Sequence, residues 1–248
     1  MLTEPTIDKL KTLHLYAMAN AWIAQQQDGA HDLDFDTRLG LIVEAEILAR
    51  DNKRIARLLR DAKLKIPAAC MEDIDFATKR ELDRNAVRAL ASGRWIADHQ
   101  NVLITGMTGV GKTYIACALA QLACRNGFHA LYRRASRLFE ELTIARADGS
   151  YTRLLGKLAK VDVLVIDDWG LSALTELQRR DILEVIDDRH TTKSTVIASQ
   201  LPVEKWHDYV GDPTIADAVL DRVVHNAHRI KPKGPTRRKM ESNLNTST

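Results

Sequence analysis

A glycine-rich loop between an apolar segment and a helical pattern constrains the fold of this chain more than any other feature. The loop is GMTGVGKT, residues 106–113, and it follows the apolar run 101–105. The residues after it, 114–120, have the apolar spacing of a helix. A strand, a glycine-rich turn and a helix in that order are the context in which the pattern GxxxxGK[ST] binds phosphate. The sequence therefore predicts a nucleoside triphosphate site at this loop.

The residue types of the loop suit a triphosphate. Glycines let the backbone approach an anion without an intervening Cβ. The positive end of the following helix also favours negative charge there. Lys112 supplies a positive charge to the outer phosphates, and the Thr113 hydroxyl is suited to hold Mg²⁺. The predicted nucleotide-binding residues are Gly106, Met107, Thr108, Gly109, Val110, Gly111, Lys112 and Thr113.

Strand and helix patterns alternate after the loop. Apolar runs predict four further strands, at residues 128–132, 161–166, 194–199 and 228–231. Helical patterns lie between them, at residues 136–147, 175–189 and 213–224. Strands separated by helices imply a parallel sheet with right-handed crossovers. The second half of the chain thus predicts an α/β nucleotide-binding core.

The first part of the chain predicts helices only. They are expected at residues 6–29, at residues 39–66 with a bend near Asp51, and at residues 80–99 with an interruption at Ser92-Gly93. Pro67 stops the second of these helices. We therefore expect a small all-helical N-terminal domain at residues 1–66 and a linker with a lead-in helix at residues 67–100. The core would occupy residues 101–240 and a disordered tail residues 241–248.

Two acids follow the apolar strand 163–166. Asp167 would hold Mg²⁺ at the carboxyl edge of the sheet. Asp168 would orient or deprotonate the attacking water, or else only cap a turn. Gln200 ends the next strand, where it would touch the γ-phosphate or be a simple loop residue. Arg222, on the last predicted helix, would act on the γ-phosphate of a neighbouring subunit or be a surface arginine.

Positive charge is concentrated in segments, since the net charge is only +3. The basic residues near the end of the N-terminal domain are Arg50, Lys53, Arg54, Arg57, Arg60, Lys63 and Lys65. Others lie after the second strand, at Arg133, Arg134, Arg137, Arg146 and Arg153, and in the tail, at Arg229, Lys231, Lys233, Arg237, Arg238 and Lys239. The first group is a candidate for nucleic-acid or partner binding, or a solvated helix face, and the second would line a DNA-facing surface or be solvated charge. The tail would be a phosphate-sensing arm, a DNA-contacting arm or a disordered end. No signal peptide opens the chain and no apolar run approaches a membrane span, so we expect a soluble, cytoplasmic protein.

Four long strings of this sequence resemble the IstB transposition helper ATPases. They are DRNAVRALASGRWIADHQNVLITGMTGVGKT, LVIDDWGL, SQLPVEKWH and PTIADAVLDRVVHNAHRI. The resemblance extends over essentially the whole chain, and the family is a group of AAA+ ATPases related to the DnaC helicase loader and the DnaA initiator. It implies an AAA+ P-loop core with a five-stranded, mostly parallel sheet in the order 5-1-4-3-2. It also implies a helical N-terminal domain and a largely absent lid.

The resemblance also implies a function. The protein would bind double-stranded DNA, largely independently of sequence, in an ATP- and Mg²⁺-dependent way. It would assemble side by side into an oligomer, hydrolyse ATP slowly, and recruit or stimulate the transposase of the same insertion sequence. By position, Asp167 and Asp168 correspond to Walker B, Gln200 to sensor 1, Arg222 to the arginine finger and Arg238 to sensor 2. Many AAA+ proteins have Glu where Asp168 stands and Asn where Gln200 stands, and the tail leaves Arg237 and Arg238 as alternatives for sensor 2.

Other functions remain open at this point. A DnaC-like loader of the replicative helicase would share nearly all of these residues. A P-loop kinase of a small molecule is disfavoured because we find no segment long enough for an acceptor-binding lid. A pure switch would bind ATP and hardly turn it over.

Overall fold

The computed structural model describes residues 3–27, 32–74, 76 and 82–234. Contacts divide the chain into two compact units, Met1–Arg57 and Leu58–Thr248. The division falls within a helix, before the predicted domain boundary at Pro67. The assignment of residues 1–66 to one domain stays a prediction.

Helices α1, Thr3–Thr12, and α2, Tyr16–Gln27, occupy the start of the chain, where the sequence predicted one helix. His14 adopts a left-handed backbone with φ of 59°, which ends α1. The Glu46 carboxylate of α3, Phe35–Ala62, accepts hydrogen bonds from the backbone N–H groups of Ala17 and Met18. It thereby satisfies N–H groups of the first turn of α2. Helix α3 is continuous through Asp51, near which the sequence predicted a bend.

The second unit contains five strands: β1 Asn101–Thr105, β2 Ala130–Arg134, β3 Val163–Trp169, β4 Ser194–Ser199 and β5 Ala227–Ile230. Their order is β2-β3-β4-β1-β5, and all four pairings are parallel. This is the predicted order 5-1-4-3-2 read from the other edge. The predicted fold is therefore confirmed.

Successive residues of each strand face two different layers, as the two-residue period of a strand requires. Val102 and Ile104 pack with the layer around α6, Lys112–Arg125, whereas Leu103 packs with the opposite layer. The other helices are α4 Arg84–Ala91, α5 Arg94–Ala97, α7 Ala135–Ala147, α8 Tyr151–Lys160, α9 Glu176–Arg189, α10 Trp206–Val210 and α11 Pro213–Val224. The sheet is buried on both faces, which explains the continuous apolar runs of its central strands.

Several predicted boundaries agree with the structure and others differ. The capping box at Thr175 and Gln178 is present at the start of α9. The lead-in helix is interrupted at Ser92-Gly93, as predicted, because Gly93 has φ of 72° between α4 and α5. Helix α8 had no prediction, although its Leu155 and Leu158 are buried at helical spacing. No helix follows β5 within the described residues 231–234. The predicted absence of a lid concerns residues that the structure does not describe.

Arg189, at the end of α9, is buried and joins three elements. Its guanidinium donates hydrogen bonds to the backbone carbonyls of Leu158, Val161 and Ser194. Leu158 and Val161 lie at the end of α8, where helix carbonyls have no partner within the helix. Arg189 therefore ties the end of α8 to the start of β4.

Candidate functional site

The glycine-rich loop joins the carboxyl end of β1 to the start of α6. Gly109 and Gly111 have φ values of 86° and 98°, in the left-handed region that favours glycine. Gly111 is the N-cap of α6, and no side chain caps that helix. The first N–H groups of α6 therefore face the loop with the positive end of the helix dipole, an arrangement that binds anions.

Glycine is required at position 106 because neighbouring atoms leave no room for a Cβ, and not because of the backbone conformation. A Cβ there would lie 2.7 Å from the carbonyl oxygen of Pro232 and 3.3 Å from Cγ2 of Val110. The segment after β5 thus passes directly against the start of the loop. The chain that follows leads towards Arg237 and Arg238, which lie outside the described residues.

Lys112 begins α6 and points back across the loop. Its Nζ donates a hydrogen bond to the Met107 carbonyl at 2.8 Å, and 9% of the residue is exposed. The ammonium group is therefore held at the mouth of the cradle that the loop forms.

The Asp167 carboxylate is 1% exposed and accepts hydrogen bonds from three groups. The hydroxyls of Thr113 and Tyr132 donate to its Oδ2 at 2.8 and 2.7 Å. The backbone N–H of Asp168 donates to Oδ1 at 2.9 Å. Burial and the bond to Asp167 raise the pKa of Tyr132 far above its usual value, so the phenol keeps its proton at neutral pH.

The Thr113 hydroxyl and the Asp167 carboxylate are oxygen ligands that suit Mg²⁺. Among the described residues, no group of three His, Cys, Asp or Glu side chains could hold a metal ion. Mg²⁺ in nucleotide sites is commonly bound by one or two protein oxygens together with phosphates and waters. The residues present therefore fit Mg²⁺ that arrives with a nucleotide.

Asp168 has φ of 60°, a left-handed backbone that turns the chain out of β3. Its side chain is 31% exposed, and Oδ2 lies 3.7 Å from Nε of Arg134 at the end of β2. Unlike Asp167, this carboxylate reaches the cavity beside the loop. It is the acid that a water molecule could approach.

Gln200 follows β4 and contacts the loop directly. The Thr108 hydroxyl donates to its Oε1 at 2.7 Å, and the backbone N–H of Gly106 donates to the Ser199 carbonyl at 3.2 Å. The end of β4 is thus tied to the first half of the loop at two residues, Gly106 and Thr108.

A cavity of about 330 Å³ lies against the loop. Its lining brings together Thr108, Lys112, Thr113, Asp168 and Gln200 with three residues that the sequence analysis did not predict at the nucleotide site: Lys65, Ile66 and Tyr114. Tyr114 directly follows the loop, but Lys65 and Ile66 come from the segment after α3. Their spacing in the sequence gave no signal, because only the packing of that segment brings it to the cavity.

Arg222 lies elsewhere. It is on α11, its Nε is 2.5 Å from Oδ1 of Asp187, and its guanidinium also donates to the Ala218 carbonyl at 2.9 Å. The structure therefore separates Arg222 from the other predicted site residues.

The sheet order, the loop after β1 and the acids at the end of β3 define a P-loop nucleotide-binding protein. The sequence profile of a family described as "IstB-like ATP binding protein" matches residues 8–245. The chain is 46% identical over 240 residues to a protein of Sinorhizobium fredii that is named an insertion sequence ATP-binding protein, covering 96% of this chain and 98% of that one. The chain belongs to the family of IstB-like ATP-binding proteins.

Further comparisons agree with this assignment. The chain is 52% identical over 203 residues to a Pseudomonas fluorescens protein named the ATP-binding protein of insertion sequence IS1162, covering 82% of this chain and 88% of that one. Its fold is similar to that of the DnaC helicase loader, with a TM-score of 0.55 and 19% identity over 66% of this chain and 97% of that one. It is also similar to the replication initiator DnaA bound to AMPPCP and single-stranded DNA, with a TM-score of 0.57 and 18% identity over 72% and 55% of the two chains. These likenesses show an AAA+ fold. Among the described residues, no helix has the length and apolar character needed to span a membrane.

Proposed function

We propose that this chain is an Mg²⁺-dependent ATPase whose nucleotide state controls DNA binding in insertion-sequence transposition. The observation that carries the proposal is the pairing of a buried and a partly exposed carboxylate beside the loop. Asp167 is held by Thr113 inside the fold, whereas Asp168 reaches the cavity. The first arrangement suits a metal ligand and the second suits a group that acts on water.

The side chains around the cavity would share the work of hydrolysis. The loop N–H groups and Lys112 bind the phosphates, and Thr113 and Asp167 hold Mg²⁺. Bound Mg²⁺ would neutralise charge on the phosphates. Asp168 orients the attacking water and accepts its proton. Gln200, whose Oε1 accepts a hydrogen bond from the Thr108 hydroxyl, would contact the γ-phosphate.

DNA binding is supported by exposed basic residues on one face of α8. Arg153, Lys157 and Lys160 recur at helical spacing and, with Lys63, line a cavity of about 780 Å³. Asp61 contributes an acid to the same lining. Positive charge arranged along a helix can bind the phosphates of a duplex. Such contacts do not depend on the base sequence.

The other candidate basic residues are partly committed to ion pairs. Arg133 pairs with Glu141, Arg137 with Glu140, and Arg146 with Asp181. On α3, the residues Lys53, Arg54 and Arg57 are exposed, so the basic segment near the end of the first unit stays a candidate for DNA contact.

The proposed biological role is supported by relatives that are named insertion sequence ATP-binding proteins. In the proposed cycle, ATP promotes side-by-side assembly on double-stranded target DNA in the bacterial cytoplasm, the assembly recruits the transposase of the same element, and hydrolysis ends the assembly. Arg222 would complete the ATP site of a neighbouring subunit.

Fluorescence anisotropy of a labelled duplex tests the central claim. The full chain should bind duplexes of unrelated sequence in the presence of ATP, and the affinity should fall steeply with salt because phosphate contacts release counterions. Binding should be weak without nucleotide. DNA binding that is absent, or equal with and without ATP, would refute the proposal.

Release of free phosphate tests the enzymatic claim. An ATPase releases inorganic phosphate from ATP, and DNA-driven assembly should increase the rate. A pure switch would release almost none, and a kinase would transfer the phosphate to a small molecule. Either result would replace the proposed activity.

The alternative partner is a replicative helicase, because the fold is also that of the DnaC helicase loader. Pull-down experiments with the tagged chain and ATP should retain the transposase of the same element. Retention of the replicative helicase instead would favour the loader.

A further inference from the structure

Tyr132 donates a hydrogen bond to Asp167, the candidate metal ligand. The proposed function assigns no role to this contact. Tyr132 is the third residue of β2, and its phenol oxygen lies 2.7 Å from Oδ2 of Asp167. Tyr132 is 6% exposed and Asp167 is 1% exposed. The hydrogen bond is therefore shielded from water, where the loss of one partner is costly.

The strand register explains how Tyr132 reaches this carboxylate. In the pairing of β2 with β3, Tyr132 lies opposite Val165, and Asp167 is two residues farther along β3 on the same face. A side chain that spans this diagonal must be long, and it must end in a donor to meet a carboxylate. Phenylalanine would fill the same space in the core but would leave Oδ2 with one donor fewer.

Tyr132 and Thr113 donate to the same oxygen of Asp167, while the backbone N–H of Asp168 donates to the other. Three donors from three elements fix the plane of the carboxylate. Thr113 is also the candidate ligand for Mg²⁺, and its hydroxyl can bind a metal through a lone pair while it donates to Asp167. In the proposed site, Tyr132 has only the second of these roles, donation to Asp167.

We propose that Tyr132 is a positioning residue for Mg²⁺·ATP: its hydroxyl holds the Asp167 carboxylate in the orientation that receives the metal. This inference rests on the proposed Mg²⁺-dependent ATP binding. Without the hydroxyl, Asp167 must be ordered by the arriving metal, which weakens the metal-dependent part of binding. The contacts between the loop and the phosphates do not change.

The variant Tyr132→Phe, in the full chain, tests this with a fluorescent ATP analogue. In EDTA, its affinity should stay within about twofold of the wild type. In a Mg²⁺ titration, the Mg²⁺ midpoint is the Mg²⁺ concentration that gives half of the metal-induced increase in nucleotide affinity. This midpoint should rise about tenfold, as expected for losing a hydrogen bond to a charged group. In steady-state hydrolysis, the KM for Mg²⁺·ATP should rise more than kcat falls.

The matched control is Tyr151→Phe. The Tyr151 hydroxyl also contacts carboxylates, at 2.9 Å from Asp181 and 2.7 Å from Glu184, and it lies on α8 outside the cavity lining. This variant should leave the Mg²⁺ midpoint unchanged. A rise of similar size in both variants would show a general effect on folding and would overturn the inference.

A double-mutant cycle gives a second measurement that does not depend on the size of the single effect. If Tyr132 acts through Asp167, adding Tyr132→Phe to Asp167→Asn should not shift the Mg²⁺ midpoint further. Additive shifts, or an unchanged midpoint in Tyr132→Phe, would overturn the inference while leaving the proposed function intact. If the ATP affinity of the wild-type protein does not depend on Mg²⁺, both the inference about Tyr132 and the proposed function are overturned.

Discussion

The side-chain amide of Asn101 donates a hydrogen bond to the backbone carbonyl of Arg222 at 3.1 Å. Asn101 is the first residue of β1, so the contact fixes Arg222 at the amino end of that strand. The glycine-rich loop follows the carboxyl end of the same strand. Arg222 therefore cannot reach the phosphates bound by its own loop, and any role in hydrolysis requires a second subunit.

Mixing two inactive variants should restore activity if Arg222 acts on a neighbour. Arg222→Ala should bind ATP normally, while its assembly-dependent hydrolysis falls about a thousandfold, the range measured for arginine fingers. Lys112→Ala keeps Arg222 but binds ATP weakly at its own site. Phosphate release from the mixture on DNA should exceed the sum of the two variants measured separately.

Arg180→Ala is the control for the Arg222 experiment, because Arg180 is exposed on α9 and pairs with Glu176 of the same helix. Surface ion pairs contribute about 0–1 kcal/mol, so neither change should unfold the protein. Normal turnover of Arg222→Ala in assemblies would show that the finger is another residue.

Lys112→Ala should weaken ATP binding by roughly 10- to 100-fold, because a charge-assisted hydrogen bond contributes about 1.5–3 kcal/mol. Titration of a fluorescent ATP analogue measures this. Lys205→Ala, at an exposed position outside the cavity, should bind like the wild type. Equal affinities of the two variants would contradict the assigned site.

Asp168→Asn should keep the wild-type affinity for ATP, and its rate of hydrolysis should fall by about 100-fold or more, as expected for removal of a general base. Asparagine tolerates the left-handed backbone of this position, so the change removes charge with little strain. Single-turnover phosphate release compared with ATP affinity measures the effect. Asp188→Asn, at an exposed position of α9, should hydrolyse normally, and normal hydrolysis by Asp168→Asn would place the base elsewhere.

Arg189→Met should lower the free energy of unfolding by about 3 kcal/mol, because two buried carbonyls and one partly buried carbonyl lose a donor. For a chain of this size that corresponds to a fall in Tm of roughly 6–12 °C. Thermal unfolding followed by circular dichroism measures it, with exposed Arg180→Met as the control. Equal melting temperatures would show that the carbonyls find other donors.

The core could be predicted from the sequence because the loop and the buried strands each require particular residue types, and both patterns indicate the same α/β fold. The loop at 106–113 needs its glycines for backbone conformation and close approach, and buried parallel strands such as β3 and β4 must be apolar throughout. These constraints are visible along a single chain. The two-helix start of the chain was not predicted, because the left-handed turn at His14 has no glycine to mark it.

The sequence by itself determined the phosphate-binding loop, the acids after β3 and the parallel α/β core, because each depends on residue types at short, regular spacing. The tertiary structure alone decided which distant residues meet. It placed Tyr132 on Asp167, brought Lys65 and Ile66 to the cavity, and separated Arg222 from the loop. Such contacts depend on strand register and on the packing of separate segments, which no local pattern encodes.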